Sequence, residues 1–422
     1  MYALVDCNNF YVSCERVFQP HLNEKPVVVL SNNDGCVISR SYEAKDIGIP
    51  MGAPEFQYRE MMKKNDVHVF SSNYPLYGDM SNRVMKLLEK FTPHIEVYSI
   101  DEAFLNFEGI SIEDYNTHGL QIKYSIQKWL GLPVCIGFAK TKALTKVANK
   151  IAKKFQDRTK GVYVIDSEEK RIKALKWTKI EDVWGIGYKL SKKMKGKNIV
   201  TAYDFTLPVN EAYIKKEMGI VGMRLKYELE GKSVIKLEEV KDKKNIAITR
   251  SFEGTISDFD QLKERVSTFA SVCAEKLRKQ QSCCQVVTLY LRKDQHKIEN
   301  RNQQLSFYKQ TLLPFSTQSS ITISKAAISM LNELYKEKTA YKKAGVIVSQ
   351  IIPEDKKQYQ LFGEENPKHQ LLMEAIDKYH KKIGKTKIKL GSQDLKKTWM
   401  MKQEHLSKKY TTDINQLLIV KC

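Results

Sequence analysis

The chain has few features of a secreted, membrane-spanning or disulfide-bonded protein. Its eight cysteines show no Cys-x-x-Cys spacing, so neither a disulfide framework nor a zinc site is indicated. It contains no run of about 18 apolar residues, and the residues after Met1 lack the basic and apolar segments of a signal peptide. We therefore expect a soluble, cytoplasmic protein with reduced thiols and no membrane partner.

Hydrophobic residues and basic charge, by contrast, are plentiful. The chain has 422 residues, of which 42% are hydrophobic, and this length allows about two to four globular domains. Its formal net charge is +21, and the C-terminal half carries the larger excess of Lys and Arg. A soluble protein of this charge attracts polyanions, and nucleic acid is the partner that the composition favours.

Two short acidic segments lie within strongly apolar strand patterns. Asp6 ends the run that begins at Tyr2, and Asp101 with Glu102 lies where a second apolar run turns back on itself. Isolated buried carboxylates cost several kcal/mol, so three acids converging on one sheet edge would bind divalent metal. Taken alone, each segment has a simpler interpretation: Asp6 starts a turn or caps a helix, and Asp101 with Glu102 forms a solvated hairpin tip.

The order of periodic patterns predicts several folding units. Strand and helix patterns alternate up to about residue 165, which favours an α/β or α+β domain, and residues 25–72 form an insertion between the acids. After residue 240 the patterns predict a β-α-β-β-α-β domain. Beyond Pro353 the chain is polar and Lys-rich, and we expect a partly disordered tail.

The stretch between these units is helical and rich in lysine around Val183-Trp-Gly-Ile-Gly-Tyr-Lys-Leu190. This resembles a helix-hairpin-helix, in which Gly185 and Gly187 would let backbone N–H groups approach phosphates and Lys189 would add charge. A plain turn between two helices is the alternative.

Four segments, taken together, resemble the Y family of lesion-bypass DNA polymerases, specifically its UmuC type. They are DCNNFYVSCE (6–15), LSNNDGCVIS (30–39), YSIDEAF (98–104) and WMMKQEHLSKKYTT (399–412). The first three are specific in this order, and the last is typical of UmuC-like chains rather than the DinB-like branch. The resemblance covers nearly the whole chain.

The resemblance implies an α+β multidomain fold shaped like a right hand. Its parts are a palm with a mixed or antiparallel sheet (1–24 and 73–165), small fingers (25–72), a helical helix-hairpin-helix thumb (166–240), a β-α-β-β-α-β little finger that binds DNA (241–353) and a C-terminal extension (354–422).

The resemblance also implies an activity: error-prone, SOS-type translesion synthesis by transfer of a nucleotide from dNTP to a primer 3′-hydroxyl. Asp6, Asp101 and Glu102, with the backbone carbonyl of Cys7, would hold two Mg²⁺ ions. The alternatives are a catalytically silent DNA-binding accessory and a template-independent nucleotidyltransferase. The intact acids argue against the first, and the basic C-terminal domain argues against the second.

Further residues match positions that bind nucleotide or DNA in the family. Tyr11 corresponds to the steric gate that excludes a ribose 2′-hydroxyl, and Phe10 lies beside it, although both aromatics could instead only pack helix and sheet. Candidate triphosphate contacts are Tyr42, Lys45 and Lys153, with Lys154 or Lys160 as substitutes for Lys153. Candidate DNA contacts are Gly185, Gly187, Lys189 and Arg250.

A motif in the tail suggests a further partner. Gln358-Tyr-Gln-Leu-Phe362 resembles the sliding-clamp-binding pentapeptide, in which Gln358, Leu361 and Phe362 would make the contacts. The expected partners are therefore primer-template DNA, dNTP and the sliding clamp. A UmuD-type subunit and the RecA filament follow from the resemblance alone.

Overall fold

A computed structural model describes residues 1–239, 241–294, 305–358, 365–383, 388–395 and 401–418. The chain divides into two compact units, Met1–Glu239 with Lys402–Cys422, and Val240–Met401. The chain therefore passes between the units twice, and its last segment belongs to the first unit. Among the described residues, none of the helices combines the length and apolarity needed to cross a membrane.

The first unit contains two sheets and most of the helices. Its strands are β1 (Tyr2–Cys7), β2 (Val27–Leu30), β3 (Val37–Arg40), β4 (His68–Ser71), β5 (Ile95–Val97), β6 (Glu102–Asn106), β7 (Val134–Ala139) and β8 (Val162–Ile165). Its helices are α1 (Phe10–Phe18), α2 (Tyr42–Asp46), α3 (Glu55–Lys64), α4 (Tyr74–Leu88), α5 (Tyr115–Leu130), α6 (Lys142–Lys154), α7 (Gln156–Thr159), α8 (Glu168–Trp177), α9 (Tyr188–Lys195), α10 (Ala202–Thr206) and α11 (Glu211–Leu229).

The larger sheet of this unit has the order β5-β6-β1-β7-β8 within the described residues. Strand β1 pairs antiparallel with both β6 and β7, so it lies in the middle of the sheet. Residues Ala3 to Val5 are completely buried, as expected for a strand covered on both faces. Helices α1, α4 and α5 contribute to the core on one face, and α6 packs on the other.

Helix α6 lies unusually close to the sheet because β7 has a glycine beneath it. A Cβ atom on Gly137 would come 2.2 Å from the backbone nitrogen of Asn149, a contact that real Cβ atoms do not make. The Asn149 side-chain amide in turn donates to the Cys135 carbonyl at 2.7 Å. The position of α6 on the sheet is therefore fixed, and with it the backbone positions from which its lysines extend.

The inserted region has a sheet and a core of its own. Strands β3, β2 and β4 form this smaller sheet, in which β2 pairs antiparallel with β3 and parallel with β4. Val28, Leu30, Val37 and Ile49 are buried in a cluster separate from the larger core. The residues expected to form an insertion between the acids thus include a sheet with its own buried cluster.

The second unit has the β-α-β-β-α-β order that the sequence predicts. Its elements are β9 (Ile246–Ile256), α12 (Phe259–Lys279), β10 (Ser282–Lys293), β11 (Ser306–Thr317), α13 (Ser320–Leu334) and β12 (Tyr341–Pro353). The strands form an antiparallel sheet in the order β11-β10-β12-β9, and α12 and α13 share its core.

The described part of the tail, which was expected to be partly disordered, contains a docked helix. Lys368–Ile383 form helix α14, whose Met373 is only 2% exposed. The Arg278 guanidinium donates two hydrogen bonds to Asp377, at 2.6 and 2.8 Å, and this anchors α14 to α12. The polar, Lys-rich composition gave no sign of this docking. Few apolar residues and one bidentate ion pair are enough to hold the helix.

Candidate active site

Two of the predicted acids lie side by side on the central strands. Asp6 on β1 is directly opposite Glu102 on β6 in the antiparallel register, so their side chains lie on the same face of the sheet. Helix α1 takes Asn9 as its N-cap, which excludes the alternative of Asp6 as a helix cap. Glu102 belongs to a strand, so the hairpin-tip alternative does not hold for it either.

The two carboxylates share a hydrogen bond and influence each other's ionisation. Burial raises the pKa of Asp6 to about 7 against the opposing attraction of Lys153. Burial is the largest single effect on Glu102 and opposes its ionisation, but the hydrogen bonds to Asp6 and Lys146 and the charges of Lys146 and Lys153 together outweigh it and hold the pKa of Glu102 below its usual range. Asp6 is therefore the member of the pair that holds a proton most readily when no cation other than lysine is present.

Two lysines of α6 neutralise these acids. Lys153 Nζ lies 2.5 Å from Asp6 Oδ2, and Lys146 Nζ lies 2.8 Å from Glu102 Oε2. Of the three lysines considered from sequence, Lys153 reaches the acids, whereas Lys154 and Lys160 are exposed. Lys146 was not predicted, although its position seven residues before Lys153 places both on one helix face.

A third lysine of the same helix forms a different kind of pair. Lys142 Nζ lies 2.7 Å from Glu96 Oε2 on β5, and both side chains are almost completely buried. The rings of Phe104 and Trp184 lie 4.7 and 5.8 Å from the ammonium. The backbone N–H of Glu238 donates to the same carboxylate at 2.7 Å.

The third predicted acid, Asp101, lies next to the pair in sequence but is held differently. Its carboxylate accepts a hydrogen bond from the Ser99 hydroxyl, and its backbone carbonyl accepts from the Cys7 N–H at 2.9 Å. Within the described part of the chain, no three His, Cys, Asp or Glu side chains lie close enough together to hold a metal ion in this structure. The structure thus joins Asp6 with Glu102 and leaves the Asp101 carboxylate beside them.

Aromatic rings form a wall next to these acids. Tyr11 stacks on Tyr77 with centroids 4.4 Å apart and planes inclined by 14°, and it meets Tyr74 edge-on at 6.3 Å. Phe10 is 3% exposed and lies in the core behind Tyr11, which supports the packing alternative for this residue. Tyr11 itself is partly exposed, with its ring held by α4.

Basic residues from the inserted region face the same edge. The ammonium of Lys45 lies 4.3 Å above the Tyr42 ring and donates to Asn9 Oδ1 at 2.7 Å. Burial lowers the pKa of Lys45, and the neighbouring charges of Arg40 and Lys153 lower it further. Arg40, at the end of β3, was not predicted, and its guanidinium donates to the Ile49 carbonyl.

The predicted helix-hairpin-helix glycines lie at the start of α9. Gly185 has φ +82°, a backbone conformation that favours glycine, and Gly187 is the N-cap of α9. A Cβ atom at either position would meet nothing within 4 Å, so this turn is open to solvent. Lys189 is exposed on the first turn of α9, which is consistent with the expected phosphate contact.

The remaining predicted residues lie in the second unit. Arg250 on β9 is exposed. Gln358 is exposed at the end of a described segment, whereas Leu361 and Phe362 lie outside the described residues.

The fold is that of a Y-family DNA polymerase. A solved Y-family DNA polymerase chimera of Dbh and Dpo4 superimposes with a TM-score of 0.69 at 22% identity, covering 83% of this chain and 99% of that one. At this identity the likeness establishes the fold alone.

Relatives by sequence establish the family. UmuC of Salmonella typhimurium is 38% identical over 100% of both chains, and ImpB of the same organism is 39% identical over 98% of this chain and 97% of its own. Residues 5–150 match the model of the impB/mucB/samB family, and residues 243–361 match its C-terminal domain. The chain belongs to this family. Residues 370–420 match a domain of unknown function.

Proposed function

We propose that the chain is an error-prone translesion DNA polymerase whose reaction takes place at the edge formed by Asp6, Asp101 and Glu102. The observation that carries the site assignment is the direct pairing of Asp6 with Glu102 on the two central strands. Family membership and the Y-family fold make the protein a DNA-directed DNA polymerase. The silent accessory and the template-independent transferase are not favoured.

The donor set fits a hard divalent cation. Carboxylate and carbonyl oxygens are the ligands that Mg²⁺ prefers, and burial makes an ionised Asp6 unfavourable unless a cation compensates it. Asp6, Asp101, Glu102 and the Cys7 carbonyl would hold two Mg²⁺ ions. When bound, such ions activate the primer 3′-hydroxyl and neutralise the triphosphate. Without these ions, the ammonium groups of Lys153 and Lys146 compensate the negative charges of the acids.

The surrounding residues would orient the nucleotide. Lys153, released from Asp6, would contact the β and γ phosphates, and Lys45 over Tyr42 would contact the triphosphate from the inserted region. The partly exposed Tyr11 ring would lie under the sugar and clash with a ribose 2′-hydroxyl. Its stack on Tyr77 limits its rotation, which sugar selection by steric exclusion requires.

DNA would be held through phosphates by both units. The open turn at Gly185 and Gly187, with Lys189, would bind backbone phosphates, and Arg250 would add a contact from the second unit. Such binding weakens linearly with the logarithm of salt concentration. The division into palm, fingers, thumb and little finger at residues 24, 72, 165, 240 and 353 is part of this proposal.

The remaining partners follow from a short motif in the tail and from the resemblance. The sliding clamp would bind Gln358, Leu361 and Phe362, because these residues match the clamp-binding pentapeptide and such tethering raises the effective concentration at the primer end. A UmuD-type subunit and RecA, like the cytoplasmic location, remain predictions from the resemblance and from composition.

Primer extension by the Asp101→Ala variant tests the site. We expect no Mg²⁺-dependent extension, while the affinity for primer-template duplex stays within about tenfold, because the phosphate contacts lie elsewhere. Glu89→Ala, at an exposed position near the end of α4, is the matched control and should extend normally. Retained extension by Asp101→Ala would overturn the site assignment. Running-start assays on undamaged and abasic templates also separate the polymerase from a terminal transferase or an inert binder.

A further inference from the structure

The last described segment of the chain docks against the region where the insertion joins the larger sheet. We call residues 402–410 the strap. Its backbone forms no regular helix or strand, and three of its N–H groups donate instead to side chains more than 300 residues away. The N–H groups of Lys402, Glu404 and His405 donate to side chains of the inserted region at 3.1, 2.8 and 3.0 Å. Their acceptors are Asn33 Oδ1, Asp34 Oδ2 and Ser71 Oγ.

The strap then crosses the connection from β4 to α4. The Ser71 N–H donates to the His405 carbonyl at 3.0 Å, and the Gln403 side-chain amide donates to the Ser72 carbonyl at 2.8 Å. Asn73 donates its amide to Ser407 Oγ at 2.9 Å and to the Lys408 carbonyl at 3.1 Å. Asn73 is also the N-cap of α4, so the strap is bonded to the residue that starts this helix.

Near its end, the strap is hydrogen-bonded to one buried carboxylate in the core of the larger sheet. Glu15 on α1 is completely buried, and one of its oxygens accepts from the Ser407 hydroxyl at 2.9 Å and from the Tyr77 hydroxyl at 2.6 Å. Tyr410 stacks on Phe18 of the same helix with centroids 4.8 Å apart. A buried carboxylate needs such donors, because losing one leaves charge without compensation.

These contacts form a continuous path from the strap to Tyr11. Ser407 holds Glu15, Glu15 holds the Tyr77 hydroxyl, and the Tyr77 ring is the surface on which Tyr11 stacks at 4.4 Å. We propose that the strap is a positioning element that fixes the Tyr11–Tyr77 stack and thereby sets nucleotide affinity and sugar selection. The inference rests on the proposed role of Tyr11, and it gives a role to part of the stretch that matches a domain of unknown function.

The test uses single-nucleotide insertion by the full chain with dNTP and rNTP. For Ser407→Ala we expect KM for dNTP to rise about fivefold, kcat to stay within about twofold, and discrimination against rNTP to fall at least about threefold, since the stack is loosened without touching the reacting atoms. Ser407→Thr keeps the hydroxyl and should restore wild-type values. Lys408→Ala, at an exposed side chain of the strap, is the matched control and should behave as wild type.

Gln403→Ala, which removes one bond to the Ser72 carbonyl, is a milder variant for the case that Ser407→Ala folds poorly. It should shift KM in the same direction by about twofold. Hydrogen exchange of residues 71–77 should be faster in both variants than in Lys408→Ala. Unchanged exchange and unchanged KM would overturn the inference.

The Tyr11→Ala variant distinguishes the proposed gate role of Tyr11 from the proposed positioning role of the strap. If Tyr11→Ala leaves sugar discrimination unchanged, the proposed gate is wrong and the strap has nothing to position. If Tyr11→Ala relaxes discrimination while Ser407→Ala matches the wild type, the strap inference alone is wrong. If kcat falls in Ser407→Ala as much as the folded fraction does, with KM unchanged, the contact is merely structural.

Discussion

Helix α6 places lysines against carboxylates in two regions that differ in their access to solvent. In the closed region, Lys142 and Glu96 are 2% and 8% exposed, and aromatic rings and a backbone N–H complete their surroundings. In the open region, Lys153 is 34% exposed beside Asp6, and Lys146 is 19% exposed beside Glu102. One helix therefore carries the same chemical pair in a sealed and in an accessible form.

The difference separates a structural ion pair from the pairs at the proposed catalytic site. A sealed pair cannot exchange its lysine for another cation without breaking the core, so its contribution is to stability. An accessible pair can release the lysine to a phosphate and accept a metal in its place. Exposure, rather than the identity of the residues, separates the two functions.

Asp6→Asn changes the open region and should have the largest effect of the substitutions considered. We expect kcat to fall at least about a thousandfold because a metal ligand is lost. Burial raises the pKa of Asp6 from 3.8 to about 7, so ionised Asp6 lowers folding stability as pH rises through this range. Without metal at pH 8, the variant should therefore unfold at the same or a higher temperature. Turnover near the wild-type rate would contradict the assignment.

Glu96→Gln should break the closed region instead. Removing one partner leaves Lys142 buried without its carboxylate, and we expect a loss of about 3–5 kcal/mol in the free energy of unfolding. Urea titration measures this loss, and kcat per folded molecule should stay close to wild type. Glu60→Gln is the control, because Glu60 is 88% exposed and its pair with Lys63 contributes little. A variant that stays stable but loses turnover would reverse the roles of the two regions.

Gly137→Ala should disturb both regions together, since it displaces the helix that carries all three lysines. The new Cβ would lie 2.2 Å from the Asn149 nitrogen, and the overpacking should cost about 1–3 kcal/mol of stability and lower turnover as well. Gly78→Ala within α4 is the control for unfolding, because its Cβ would meet nothing within 4 Å. A loss of stability without any loss of turnover would show that the open region tolerates movement of α6.

Lys153→Ala should give the smallest effect. It tests whether Lys153 exchanges Asp6 for a phosphate of the nucleotide. Loss of one phosphate contact should raise KM for dNTP about tenfold with a smaller change in kcat. Lys154→Ala, at the next and exposed position, should leave both constants unchanged. Steady-state kinetics of the two variants, measured side by side, decides whether Lys153, which pairs with Asp6 in the structure, binds the nucleotide.

Much of the open region was predictable from sequence. Asp6 and the Asp101-Glu102 pair interrupt apolar strand patterns, and the antiparallel register then brings Asp6 opposite Glu102. Lys153 could be selected by resemblance but not distinguished from Lys154 until the helix phase was known. The inserted sheet and the β-α-β-β-α-β order followed from periodicity and from the turn residues between the patterns.

Neither the closed region nor the strap could be predicted from the sequence, and the reason is the same for both. Glu96 and Lys142 lie on separate elements 46 residues apart, and nothing local marks them as partners. The strap contacts residues 33, 34 and 71–73 mainly through single hydrogen bonds, so it has no hydrophobic period that could reveal docking. Polar contacts across long sequence separations leave no pattern in the chain itself.

Counting bound Mn²⁺ by electron paramagnetic resonance tests most directly whether the open region is the metal site. The measurement uses the full chain with primer-template and a non-hydrolysable dNTP analogue, and compares the wild type with Asp6→Asn and Glu96→Gln. We predict two Mn²⁺ ions per chain in the wild type and in folded Glu96→Gln, and a loss of at least one in Asp6→Asn. Equal Mn²⁺ binding by Asp6→Asn and the wild type would contradict the assignment.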